Sequence, residues 1–188
     1  MHEICDPVVK TVLAGRSALV NKHAEGKKRW LRWLLEAALL TGIIFAVHLY
    51  QTRNTLSGEA PGFSARLLDG SAVSLHDFRG QPLLLQFWAT WCPVCSMEQG
   101  SIDAIARDYA VLSVALDEAA ADEIRDWMAE KGVSYAVIRD PSGQISGQFG
   151  VQGVPTSMIL DADGNIRFVE VGYTTELGLR LRLWWVDV

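Results

Sequence analysis

Two of the three cysteines, Cys92 and Cys95, stand three residues apart in Phe87-Trp88-Ala89-Thr90-Trp91-Cys92-Pro93-Val94-Cys95, while Cys5 lies alone near the N-terminus. They are the only local dithiol that one chain can oxidise. The run before them, Leu83 to Trp88, is apolar except for Gln86 and reads as a strand buried on both faces. The run after them, Pro93 to Arg107, reads as a helix with Cys92 at its cap and Pro93 at its first position, where a missing N–H costs nothing. Free N–H groups and the positive end of the helix dipole favour a thiolate at Cys92 and make it the attacking sulfur. Cys95, one turn further on, is placed to attack the resulting mixed disulfide and release the client.

Other uses of the pair fit less well. Half a zinc site would need two more ligands, but no second pair exists and His76 is the only histidine of residues 59–188, so no metal is expected. A four-residue loop is a poor structural disulfide, because it constrains little of the unfolded chain. A peroxidase loop of the form Pro-x-x-x-Thr-x-x-Cys is absent. Copper(I) held by the two thiolates is the alternative of another class. Met97 and Met128 read as core residues at helical spacing, too few for a copper-binding methionine cluster.

The elements that must position the pair alternate between strand and helix. Phe63 to Leu68 and Ala72 to Leu75 flank Asp69-Gly70 as a hairpin. Val111 to Leu116 is a central strand, Ala120 to Lys131 a helix stopped by Gly132, Tyr135 to Arg139 a short strand and Gln144 to Phe149 a weak helix. Thr156 to Leu160 and Ile166 to Val171 flank the turn Asp161 to Gly164, and Thr175 caps a last helix reaching Trp185. The pattern predicts an α/β fold with a mainly parallel central sheet, helices on both faces and antiparallel hairpins at the edges.

Composition and charge set the surroundings. The 188 residues are 49% hydrophobic and 21% charged, which excludes a disordered chain. Residues 1–58 carry a net charge of +4 and residues 59–188 one of −9, so nucleic acid is not an expected partner of the acidic part. Residues 33–50 contain 15 apolar or Gly residues out of 18, interrupted only by Glu36, Thr41 and His48. As a helix they would extend roughly 27 Å, a membrane-spanning length. Lys22, Lys27, Lys28, Arg29 and Arg32 precede the run and only Arg53 closely follows it, so the N-terminus is expected in the cytoplasm. The expected plan is a cytoplasmic tail at 1–32, a transmembrane helix at 33–50, a linker at 51–58 and a domain at 59–188 on the outer side of an inner membrane, in the periplasm. Cys5 then sits in a reducing compartment, apart from the pair.

The motifs resemble those of the thioredoxin superfamily, and within it the membrane-tethered TlpA-like group with its DsbE-type and ScsD-type thiol-disulfide oxidoreductases. The resemblance covers about residues 60–188 and rests on Trp88-Ala-Thr-Trp-Cys-x-x-Cys95, Gly153-Val-Pro-Thr156 before a strand, and the Asp161 to Gly164 turn. It implies a thioredoxin-like sheet with flanking helices and a redox-active disulfide Cys92–Cys95, without any other cofactor. It also implies a cis-proline at Pro155, and client contacts at Trp91, Pro93, Val94 and Val154. The partners it implies are protein clients and a DsbD-like or ScsB-like electron donor in the membrane, with reduction of clients as the direction and disulfide formation as the alternative.

Two departures matter. Plain thioredoxins carry a buried Asp where this chain has Gln86, which cannot titrate. Glu98, three residues after Cys95, matches a glutamate of many TlpA-like proteins and is the candidate proton acceptor for Cys95, a solvated helix residue being the alternative that spacing leaves open. The family's helix-kinking proline is replaced by Gly100.

Overall fold

The computed structural model describes Trp30, residues 33–43 and residues 58–188. Residues 33–43 are helical, α1, and residues 58–188 belong to a separate compact unit. Among the described residues no helix is long and apolar enough to cross a membrane. Of the expected span 33–50, residues 44–50 lie outside the described part, as do 1–29 and most of the linker.

In the second unit β1 (Gly58–Glu59), β2 (Ser64–Arg66) and β3 (Ala72–Ser74) are followed by β4 (Leu83–Trp88), α2 (Pro93–Ile105) and β5 (Ala110–Ala115). Then come α3 (Ala121–Lys131), β6 (Ala136–Arg139), α4 (Gln144–Gln148), β7 (Thr156–Leu160), β8 (Asn165–Val171) and α5 (Glu176–Asp187). All but the small β2–β3 hairpin join one six-stranded sheet in the order β1-β8-β7-β4-β5-β6. Alternate residues of β4 serve two cores. Leu84 and Trp88 pack with Ile102, Ile124, Ile159 and Leu183 on one face, and Leu85 and Phe87 with Leu112, Phe149 and Met158 on the other. That double burial is why β4 reads as an unbroken apolar run.

The sheet corrects the expected strand arrangement. β4 runs parallel to β5, and β5 to β6, but β4–β7, β7–β8 and β8–β1 are antiparallel, so the sheet is mixed rather than mainly parallel. The β7–β8 hairpin is not an edge ornament, since β7 lies directly against β4. A hairpin signal is local and says nothing of which long-range neighbour the hairpin takes. The first hairpin likewise stands outside the main sheet, bridged to it at Leu67–Ile138 and packed on it through Val73 in the second core. Gly164 closes the second hairpin with φ +78°, a left-handed conformation that favours glycine, while the Arg79 guanidinium that lies over it is the movable end of a long side chain.

Candidate active site

Cys92 caps α2 in extended conformation, Pro93 fills the first turn, and the Cys92 sulfur accepts a hydrogen bond from the Cys95 N–H at 3.1 Å. The two cysteines are joined in a disulfide, both of them buried. The sulfur that faces the helix N–H groups is the one whose thiolate they stabilise. From the opposite side the Val154 carbonyl oxygen comes within 3.7 Å of the Cys92 sulfur, and the Val154–Pro155 peptide bond is cis. Trp91, 68% exposed, and half-exposed Val94 flank the pair at the surface.

A buried and a part-buried polar contact hold the loop that carries the pair. The Trp88 indole N–H donates to Ser113 Oγ at 3.1 Å while its ring stacks on Trp127 at 4.8 Å, so Trp88 is a core residue. The Thr90 N–H and hydroxyl both donate to Asp117 Oδ2, at 2.7 and 2.6 Å. Asp117→Ala removes both charge-assisted bonds and leaves the Thr90 N–H unpaired. The expected loss is about 2–3 kcal/mol of stability in urea unfolding, with Asp117→Asn losing less because one acceptor remains.

Glu98 lies one turn beyond Cys95 with its side chain wholly buried. One carboxylate oxygen accepts from the Thr174 N–H at the approach to α5, and the other from Gln86 Nε2 at 3.4 Å. Burial outweighs these two bonds and lifts the carboxyl to about 7, so it exchanges its proton near neutrality. Gln86 Oε1, on the same amide, is buried without a partner.

These features arise in a stretch that matches the AhpC/TSA family model over residues 56–169. The chain belongs to the AhpC/TSA family, in its thioredoxin-like form. Among its relatives are the thioredoxin-like protein YneN of Bacillus subtilis, 31% identical over 168 residues, covering 83% of this chain and 97% of YneN. The thiol:disulfide interchange protein DsbE of Vibrio cholerae is 30% identical, covering 73% of this chain and 82% of DsbE. Of the solved structures, a putative DsbE from Chlorobium tepidum superimposes with a TM-score of 0.64 at 27% identity, covering 71% of this chain and 99% of that one. This member of the AhpC/TSA family is a thiol-disulfide oxidoreductase of the DsbE/ResA type.

The structure gathers Cys92, Cys95, Pro93, Val94, Trp91, Val154, Pro155 and Glu98 around one end of β4 and α2. Two sequence readings change. Met97 is not core but 70% exposed, because the buried face of α2 carries the polar Glu98 and Gln99 together with Cys95 and Ile102. A solvated Glu98 is excluded for the same reason. Gln86 is more than an absent acid, since it is a direct partner of Glu98. Asp117 escaped the sequence reading because an acid just past a strand end carries no signal of its target 27 residues away. Helix α2 runs unbroken through Gly100, where an added Cβ would meet nothing. Among the described residues no group of three or more His, Cys, Asp or Glu side chains could hold a metal ion.

Proposed function

We propose that this oxidoreductase reduces disulfides of protein clients through Cys92 and Cys95, while residues 33–50 tether it to the inner membrane with its catalytic domain in the periplasm. The observation that carries the chemistry is the Cys92 sulfur at the α2 cap, 3.7 Å from the Val154 carbonyl beside cis-Pro155. That backbone, with Trp91 and Val94, gives an extended client segment something to pair with next to its target sulfur. Trp91 also forms a wall of an open groove of about 500 Å³ shared with Asp117, Glu118 and Pro141, wide enough for client side chains.

The reducing direction rests on Glu98. Ionised above about pH 7, its buried charge one turn from Cys95 opposes a second negative charge on the pair. By offsetting the help that the α2 N–H groups give the Cys92 thiolate, that charge destabilises the reduced form and lowers the potential, opposite to oxidants whose reduced form is stabilised. A potential near or below about −200 mV against glutathione is expected, and one near −120 mV would overturn this direction in favour of an oxidant. A copper(I)-binding role predicts stoichiometric metal on the reduced domain instead. Electrons for a tethered reductase would come from a DsbD-like or ScsB-like membrane protein.

The tether is supported by the run at 33–50 and by α1, whose Trp33, Leu35, Leu39 and Leu40 are all exposed, as suits a helix solvated by lipid. A reporter active only outside the cytoplasm should work when fused after Val188 and fail when fused before Met1. The reverse pattern would place the domain in the cytoplasm.

A further inference from the structure

Helix α5 has two apolar faces. Leu179 and Leu183 are buried in the core beside partly buried Val186. On the other side Leu177 is 67%, Leu181 56%, Trp184 55% and Trp185 68% exposed, and Val188 follows at the C-terminus. At 3.6 residues per turn these outer positions fall within an arc of about 100°, so they form one stripe rather than scattered exposure. Arg180 is committed to Asp108 and Glu176, each at 2.7 Å, and Arg182 to Glu170 at 2.7 Å. The seams between the two faces are therefore neutralised, and the stripe can attract a partner only through apolar contact.

We propose that the outer stripe of α5 rests in the interfacial layer of a phospholipid bilayer, an inference that depends on the reading of residues 33–50 as a membrane span. Two observations choose lipid over a protein. Only eight residues, 51–58, separate the run at 33–50 from the end of the domain, and fully extended they reach roughly 28 Å. A domain of about 130 residues is some 35 Å across, so it cannot clear the surface by more than its own width. The lipid is thus always at hand, at an effective concentration on the order of millimolar, and even a weak contact is populated. The stripe also ends in adjacent tryptophans, whose amphipathic rings settle at the headgroup level, with leucines to enter the acyl boundary. Because the domain is acidic and the arginines of α5 are paired, the contact does not need anionic lipid and tolerates salt.

The test uses the full chain in phosphatidylcholine nanodiscs carrying one chain each, probed by hydroxyl-radical footprinting. The comparison is a chain lacking residues 1–49 and so most of the tethering run, in which the described compact unit 58–188 is retained whole. Oxidation of Trp184 and Trp185 is expected to fall about five-fold in the discs and to stay low at high salt. Leu181→Glu with Trp185→Glu should restore labelling of Trp184 while leaving the chain in the disc and its exchange with a soluble disulfide unchanged. Unchanged labelling of a disc-bound chain would overturn the proposal. Protection seen only in discs with several chains, or in the concentrated free domain, would overturn it in favour of a second copy. A chain that does not enter discs at all would remove the tether and the docking with it, a failure told apart by its recovery outside the disc fraction.

Discussion

Replacing Cys92 with serine is expected to reduce exchange with a disulfide substrate to background, whereas Cys95→Ser should leave a covalent client adduct. The asymmetry follows from where the two sulfurs sit. Cys92 caps α2 and faces both the helix N–H groups and the Val154 carbonyl, while Cys95 is wholly buried one turn below. In the reducing direction the Cys92 thiolate attacks one client sulfur, forming a mixed disulfide and expelling the other client sulfur as thiolate, which takes up a proton. Cys95 then gives its proton to Glu98 and attacks Cys92, so the Cys92–Cys95 bond forms and the second client sulfur leaves and is protonated. The client gains two electrons and two protons, and the pair loses them. Without Cys95 the sequence stops after the first step, and the adduct should appear on non-reducing gels after acid quench and release the client with dithiothreitol. An adduct on Cys92→Ser instead would assign attack to Cys95.

The residues that do this were readable in proportion to how local their signals are. The strand at Leu83–Trp88, the cap at Cys92 and the helix stop at Gly132 each follow from a few neighbouring residues, and each is found where its neighbours predict it. What could not be read is whatever depends on contacts across the sheet. The place of β7 beside β4 is one case, and the pairing of Thr90 with Asp117 is another. Helix α2 shows the limit most plainly. Its spacing points Met97 inward and leaves the burial of Glu98 open, but the packing of α5 against α2 puts the carboxylate in the core and gives it a backbone N–H from Thr174. A buried ionisable group violates the burial rule that sequence patterns rest on, and such violations collect where chemistry is done.

Glu98 is that violation, and Glu98→Gln tests it in stability and in redox kinetics together. The carboxyl titrates at about 7 in the fold against 4.5 when unburied, so the native state holds its proton more tightly than the unfolded state does. The sign follows from linkage: the protonated group costs little below pH 4.5, and stability is lost as pH rises through 7. Glutamine keeps the shape without the charge. Its carbonyl can still accept from Thr174, and its amide can donate to the unpartnered Gln86 Oε1. The variant should therefore match the wild type near pH 4 and exceed it by about 2–3 kcal/mol at pH 8, measured by urea unfolding of the oxidised protein. With no carboxylate to oppose it, the Cys92 thiolate should form at lower pH. The release of trapped client should meanwhile slow and lose its inflection near pH 7, because Cys95 has lost its acceptor. Gln86→Leu should act in the opposite direction on the carboxyl itself, raising its titration further by removing the donor that favours its ionised form. Stability curves for wild type and Glu98→Gln that stay parallel from pH 4 to 8 would mean that the carboxylate is solvated in the folded protein and that water takes the proton of Cys95.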